Sequence, residues 1–327
     1  MQGKIALEEH FAIEETLNDS RGYLPDETWS ELRARVLDIH ERRLHKMDSH
    51  GVELMILSLN APAIQAIYDV KRADEVARKS NDYLAEQVAK RPDRFQGFAA
   101  LPMQDPELAT KELTRCVKEL GFKGALVNGF SQVNDKDTVA YYDAAPYWPF
   151  WAQVERLDVP FYLHPRNPLP RDAQIYDGHG WLMGPSWAFG QETAVHALRL
   201  MGSGLFDKHP RLQIILGHMG ENLPYSIWRV DHCNGWVKGR HKYAAKKKIA
   251  DYFYANFHLT TSGNFRTQTM IVAMMELGSD RIMFSADWPF EDVSQAAQWF
   301  DNATMSEADR SKIGRTNALR LFKLPGG

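Results

Sequence analysis

The chain has 327 residues, 44% of them apolar and 25% charged, the composition of a globular protein long enough to bury a large core. With 39 basic against 42 acidic residues the formal charge is −3, so nothing points to nucleic acid or an anionic membrane surface. Two cysteines exclude a disulfide scaffold, and no apolar run approaches the roughly 20 residues a membrane span needs.

The first apolar run, Lys4–His10, is broken by Glu8-Glu9-His10 too early for a signal peptide, so a cytoplasmic protein is expected. In a strand, alternate side chains share a face, which places Glu8 and His10 on one side and Glu9 on the other. A carboxylate and an imidazole fixed side by side are half of a divalent-metal site. Residues 11–51 then hold an insertion with a helix from about Thr28 to Ser49.

Further apolar runs follow at Val52–Leu59, Phe95–Leu101, Lys123–Asn128, Val159–His164, Leu212–His218, Phe257–Ser262 and Arg281–Asp287. Most are continuously apolar, as suits parallel strands covered on both faces. Helical patterns separate them. Ala73–Lys90 carries Val76, Leu84 and Val88 on one stripe, and Pro106–Leu120 starts after Asp105 and stops at Gly121. Residues 165–190, rich in Pro, Gly and aromatics, form a long loop after the fifth strand, and Ser306–Leu321 reads as a closing helix.

Eight strand–helix alternations predict one (β/α)8 barrel domain over residues 1–327. An open doubly wound sheet is the alternative, weakened because no Gly-x-Gly-x-x-Gly follows the first strand. Barrels of this kind place their chemistry at the C-terminal mouth, which would collect Glu8, His10, Asn128, His164, His218 and Asp287. Carboxylate and imidazole ligands without thiolate suit an open catalytic site for Zn²⁺, Mn²⁺ or Fe²⁺. Glu8, His10, His164 and Asp287 are the expected ligands of one ion, with zinc first and manganese second.

The succession Glu8-x-His10, Tyr162-Leu163-His164-Pro165, Gly217-His218-Met219-Gly220-Glu221 and Ser285-Ala286-Asp287-Trp288-Pro289 resembles the amidohydrolase superfamily over essentially the whole chain. Within it, the chain is similar to the metal-dependent non-oxidative decarboxylases related to aminocarboxymuconate semialdehyde decarboxylase. Glu-x-His in place of the common His-x-His, continuing into Phe11, resembles the branch acting on hydroxybenzoates. Many superfamily hydrolases end strand 4 in a carboxylated lysine that bridges two metals. Asn128 stands there, and Lys123 lies at the strand's start, so one metal is implied.

The resemblance implies reversible decarboxylation of a small aromatic carboxylate, 2,6-dihydroxybenzoate first, with no organic cofactor and a homo-oligomeric, tetrameric enzyme. A hydrolase of a lactone or amide on the same scaffold and a non-catalytic metal-binding barrel are the alternatives. His218, oriented by Glu221, and Asp287 are rival proton donors. Asn128, Phe290, Arg229, Tyr23 and Ala63 are candidate substrate contacts, with loop capping the alternative for Asn128 and a core aromatic for Phe290. The resemblance implies that Arg229 reaches substrate, in some members across a subunit boundary, whereas the sequence alone favours a surface ion pair. The remaining histidines, His40, His45, His50, His179, His196, His209, His232, His241 and His258, are read as surface or packing residues, with His258 at the barrel bottom. Nine tryptophans, including Trp148, Trp151, Trp181, Trp187 and Trp236 near long connections, point to a subunit interface.

Overall fold

β-Branched and apolar runs too short for helices form eight parallel strands: β1 Lys4–Phe11, β2 Val52–Leu59, β3 Phe95–Gly97, β4 Ala125–Asn128, β5 Phe161–His164, β6 Ile214–Leu216, β7 Phe257–Thr260 and β8 Ile282–Met283. The computed structural model describes residues 1–23, 26–236 and 244–326, so His241 lies outside the described residues, as does the side chain of Tyr23.

Strands β1–β3 pair in order, as do β4–β8. Two seams close the ring. At one, Ala99 N donates to Gly124 O and Leu126 N to Ala99 O. At the other, Asp287 N donates to Glu8 O at 3.0 Å and His10 N donates to Trp288 O. Helices cover the outside, among them Val70–Lys90, capped by Asp69, and Pro106–Lys118, capped by Asp105. The result is a (β/α)8 barrel.

Two buried clusters follow from strand alternation. Ile5, Leu7, Ile56, Phe98, Leu126, Tyr162, Ile215 and Met283 fill the interior, with Leu319 and Phe322 of the C-terminal segment beneath them. A larger cluster lies between strands and helices. Alternation alone would set Glu9, not Glu8, beside Ile5 and Leu7. A β-bulge reverses the phase: Ala6 pairs with Met55 but Glu9 with Leu57, three steps against two. Beyond it Glu8 and His10 face inward and Glu9 outward.

The insertion after β1 is two helices, Asp26–Leu37 and Arg42–Ser49, rather than one from Thr28 to Ser49. The Asp38 carboxylate stops the first and starts the second by accepting from the backbone N–H of Glu41, Arg42 and Arg43. The closing segment is likewise divided: Glu307–Ser311, a π-helical turn at Lys312–Thr316, and Asn317–Phe322. The runs predicted to end at His218 and Asp287 stop sooner, because His218, Met219 and Asp287 adopt φ of +52°, +60° and +78°, incompatible with a strand. No helix of the described residues is long and apolar enough to cross a membrane.

Candidate metal centre and active site

Glu8 and His10 leave β1 side by side, His164 ends β5, and Asp287 sits on the turn after β8. Each offers one ligand atom, and the four atoms lie within 4.8 Å of one another. His164 Nε2 is 3.2 Å from Glu8 Oε1, and His10 Nε2 is 3.2 Å from Asp287 Oδ1. Among the described residues, Glu8 Oε1, His10 Nε2 and Asp287 Oδ1 are buried without a hydrogen-bond partner. Three unsatisfied donor atoms converging on one point are costly unless a cation takes them up. Two carboxylates and two imidazoles without thiolate fit a divalent ion.

The surroundings orient these ligands. The hydroxyls of Tyr162 and Ser262 donate to Glu8 Oε2, as does Thr260 Oγ1 at 3.1 Å, leaving Oε1 turned to the centre. Ser58 Oγ lies 3.1 Å from His10 Nδ1, which frees Nε2. Gly217 is required here, since a Cβ would come within 2.8 Å of Glu8 Oε2. Burial pushes the Glu8 carboxyl upward, but His218, His164 and His10 outweigh it and hold the group well below the usual carboxylate range.

His218 stands beside the centre. Its Nδ1 is 2.6 Å from Glu221 Oε1, and its Nε2 is 3.6 Å from both Glu8 Oε1 and Asp287 Oδ2. Burial would depress the imidazole, yet Glu221 and Glu8 raise it well above its ordinary value. His164, Asp287 and His218 line the floor of a cavity of about 520 Å³ with Phe189, Phe290 and Leu32 among its apolar walls. The Phe290 ring meets His10 edge to face at 5.6 Å.

The other sequence-predicted contacts fall differently. Asn128, at the end of β4, spends Nδ2 on the carbonyls of Asn60 and Pro62 and keeps Oδ1 buried without a partner. Ala63 is buried at φ +40° in the turn after β2. Arg229 is exposed on the helix Leu223–Trp236 and is not among the cavity's lining residues. Sequence reasoning missed Ser20 and Glu291 in the cavity wall, and Tyr162, Thr260 and Ser262 around Glu8. Inward alternation on β5 and β7 was a signal for the last three, since each shares a face with a residue at the mouth.

A family model described as Amidohydrolase matches residues 41–324. The chain belongs to the amidohydrolase family. It is 71% identical over 324 residues to a γ-resorcylate decarboxylase of Polaromonas sp. (strain JS666), covering 99% of each chain. The crystal structure of a dihydroxybenzoic acid decarboxylase from Polaromonas sp. JS666, with bound manganese and the inhibitor 2-nitroresorcinol, superposes with a TM-score of 0.97 at 71% identity over 100% of this chain and 98% of that one. A 2,6-dihydroxybenzoate decarboxylase complexed with 2,6-dihydroxybenzoate gives 0.97 at 67% identity, over 99% and 100%. Among amidohydrolases, the chain's likeness therefore lies with hydroxybenzoate decarboxylases rather than hydrolases.

Proposed function

We propose that this barrel decarboxylates 2,6-dihydroxybenzoate to resorcinol and CO2, reversibly, around one divalent metal held by Glu8, His10, His164 and Asp287. The observation that carries this is the convergence of three unpartnered buried ligand atoms at the floor of a cavity, beside His218, whose Nε2 is 3.6 Å from both carboxylates. Similarity to γ-resorcylate decarboxylases supports the substrate. Manganese moves ahead of zinc, supported by the manganese in the Polaromonas structure; the two carboxylates and two imidazoles suit either ion. The metal, when bound, supplies a Lewis-acidic anchor for the carboxylate and an ortho hydroxyl.

The residues of the chain do the rest. Apolar walls hold the ring and exclude water, and Phe290 lies against its plane or edge. The ring carbon bearing the carboxylate takes a proton, its bond to the carboxylate breaks, CO2 leaves, and aromaticity returns. That proton is drawn from the pair His218 and Asp287, whose facing atoms are 3.6 Å apart. Glu221, 2.6 Å from Nδ1, fixes the His218 tautomer. Asn128 Oδ1 is a hydrogen-bond acceptor for a substrate hydroxyl.

The whole chain acts as one domain, in the cytoplasm; two unpaired cysteines, Cys116 and Cys233, support a reducing compartment. The enzyme assembles as a homo-oligomer through an exposed apolar face that includes Tyr225, Trp228, Trp236 and Met275, with Arg229 among them. Sedimentation at monomer mass would refute the assembly. Turnover followed by ultraviolet absorbance across isomeric mono- and dihydroxybenzoates, with metal analysis of the same sample, tests the reaction. The 2,6 isomer is expected to react fastest, and high bicarbonate to carboxylate resorcinol. Hydrolysis of lactones without CO2 release overturns the proposal.

A further inference from the structure

We propose that Glu9 is a positioning residue for the metal centre, its carboxylate fixing the turn 285–288 so that Asp287 meets Glu8 and His10. The inference rests on the proposed metal site and extends it to a residue that faces away from the ion. Glu9 is fully buried on the outer side of β1. Its Oε1 accepts from Ser285 Oγ at 2.9 Å and Ala286 N at 2.8 Å, and its Oε2 accepts from Trp288 N at 3.1 Å. One carboxylate thus holds the backbone N–H groups on both sides of Asp287.

Asp287 needs such a hold. Its φ of +78° is a left-handed conformation that costs a non-glycine residue about 1 kcal/mol or more, and it follows a strand of only two residues. Ser285 Oγ also accepts from Leu7 N and Glu8 N, so the same contacts tie the turn to the bulge that turns Glu8 inward. Charge-assisted bonds from a buried carboxylate are strong and directional. Burial pushes the Glu9 carboxyl up to about 7, and its bonds from Ala286 and Ser285, with the charge of buried Arg43, which also donates to His10 O, oppose that rise. Ligand and support therefore alternate along β1: Glu8 and His10 face the proposed ion, and Glu9 between them aims Asp287.

The test measures Mn²⁺ affinity of the apoprotein by the paramagnetic resonance signal of free ion, alongside melting temperature. Glu9→Gln puts an amide NH2 against a backbone donor and is expected to weaken Mn²⁺ binding about 10–100-fold. In a D287N background the same substitution is expected to add less than about twofold, because its effect passes through Asp287. A purely structural Glu9 lowers the melting temperature while leaving affinity unchanged, or weakens binding equally in both backgrounds; either result overturns the inference. If the Glu9 variant does not fold, Ser285→Ala decides, with a loss of about threefold or more expected and wild-type affinity counting against it. Wild-type protein that binds no Mn²⁺ sinks the metal reading itself, a separate outcome.

Discussion

At the mouth of the barrel, His218 is flanked by Glu221 and Glu8, which against the effect of burial raise its imidazole well above the ordinary value. At the opposite end, His258 lies 2.9 Å from Gln213 Oε1 and 3.1 Å from Arg281 Nη1, and burial with the neighbouring arginines pushes its pKa down to about 3. His196, on the helix Ala188–Gly202, is also pushed down to about 3, and its Nε2 accepts from Tyr142 N at 3.2 Å. All three are enclosed imidazoles. What separates them is the sign of the charge beside each ring, so the carboxylates, rather than the histidines, mark where chemistry happens.

The sharpest way to break this contrast is at the mouth. Asp287→Ala is expected to abolish turnover and to lower metal content, both read on one sample by absorbance and elemental analysis. Retention of wild-type kcat would remove Asp287 from the mechanism. Next, His218→Asn should lower kcat about 10²–10⁴-fold while bound metal stays near wild type. Should metal fall with it, His218 belongs among the ligands. Chelation is expected to silence the enzyme, and added Mn²⁺ to restore it more fully than Zn²⁺.

Smaller effects are expected elsewhere. His258→Leu should leave kcat within about twofold while lowering melting temperature, since Arg281 Nη1 and Gln213 Oε1 lose their imidazole partner. The pH dependence is smaller still and has a defined sign. His196 and His258 bind protons more tightly when unfolded, near 6.5, than when folded, near 3. Their contribution is therefore complete above pH 6.5 and is lost as pH falls from there towards 3. Protonating His196 also destroys the acceptor for Tyr142 N. His196→Gln, which accepts without titrating, should show a smaller drop in melting temperature between pH 7.5 and pH 5 than wild type.

Much of the mouth was legible because β1 and β5 are regular there: Glu8-x-His10 and His164 stand at strand ends, where alternation and barrel geometry agree. His218 and Asp287 were read as strand ends and Glu221 through the motif resemblance, yet all three occupy left-handed turns that no strand pattern describes. The bulge was hidden, because it depends on the register against β2, and so was the orientation it imposes on Glu8. Glu9 read as the residue pointing away, which it is, but its partners at 285–288 are brought together by barrel closure and have no local signature. Asp38 broke the inserted helix by capping it with a side chain, a competition that periodicity does not register.

The seam between β1 and β8 is built from the ligand residues themselves: Asp287 N meets Glu8 O across it. On the ribosome, Glu8 emerges 277 residues ahead of Ser285, an interval of tens of seconds at about 5–20 residues per second. The four candidate ligands are therefore not brought together until the last strand docks. An ion held by all four would span the seam that closes the ring.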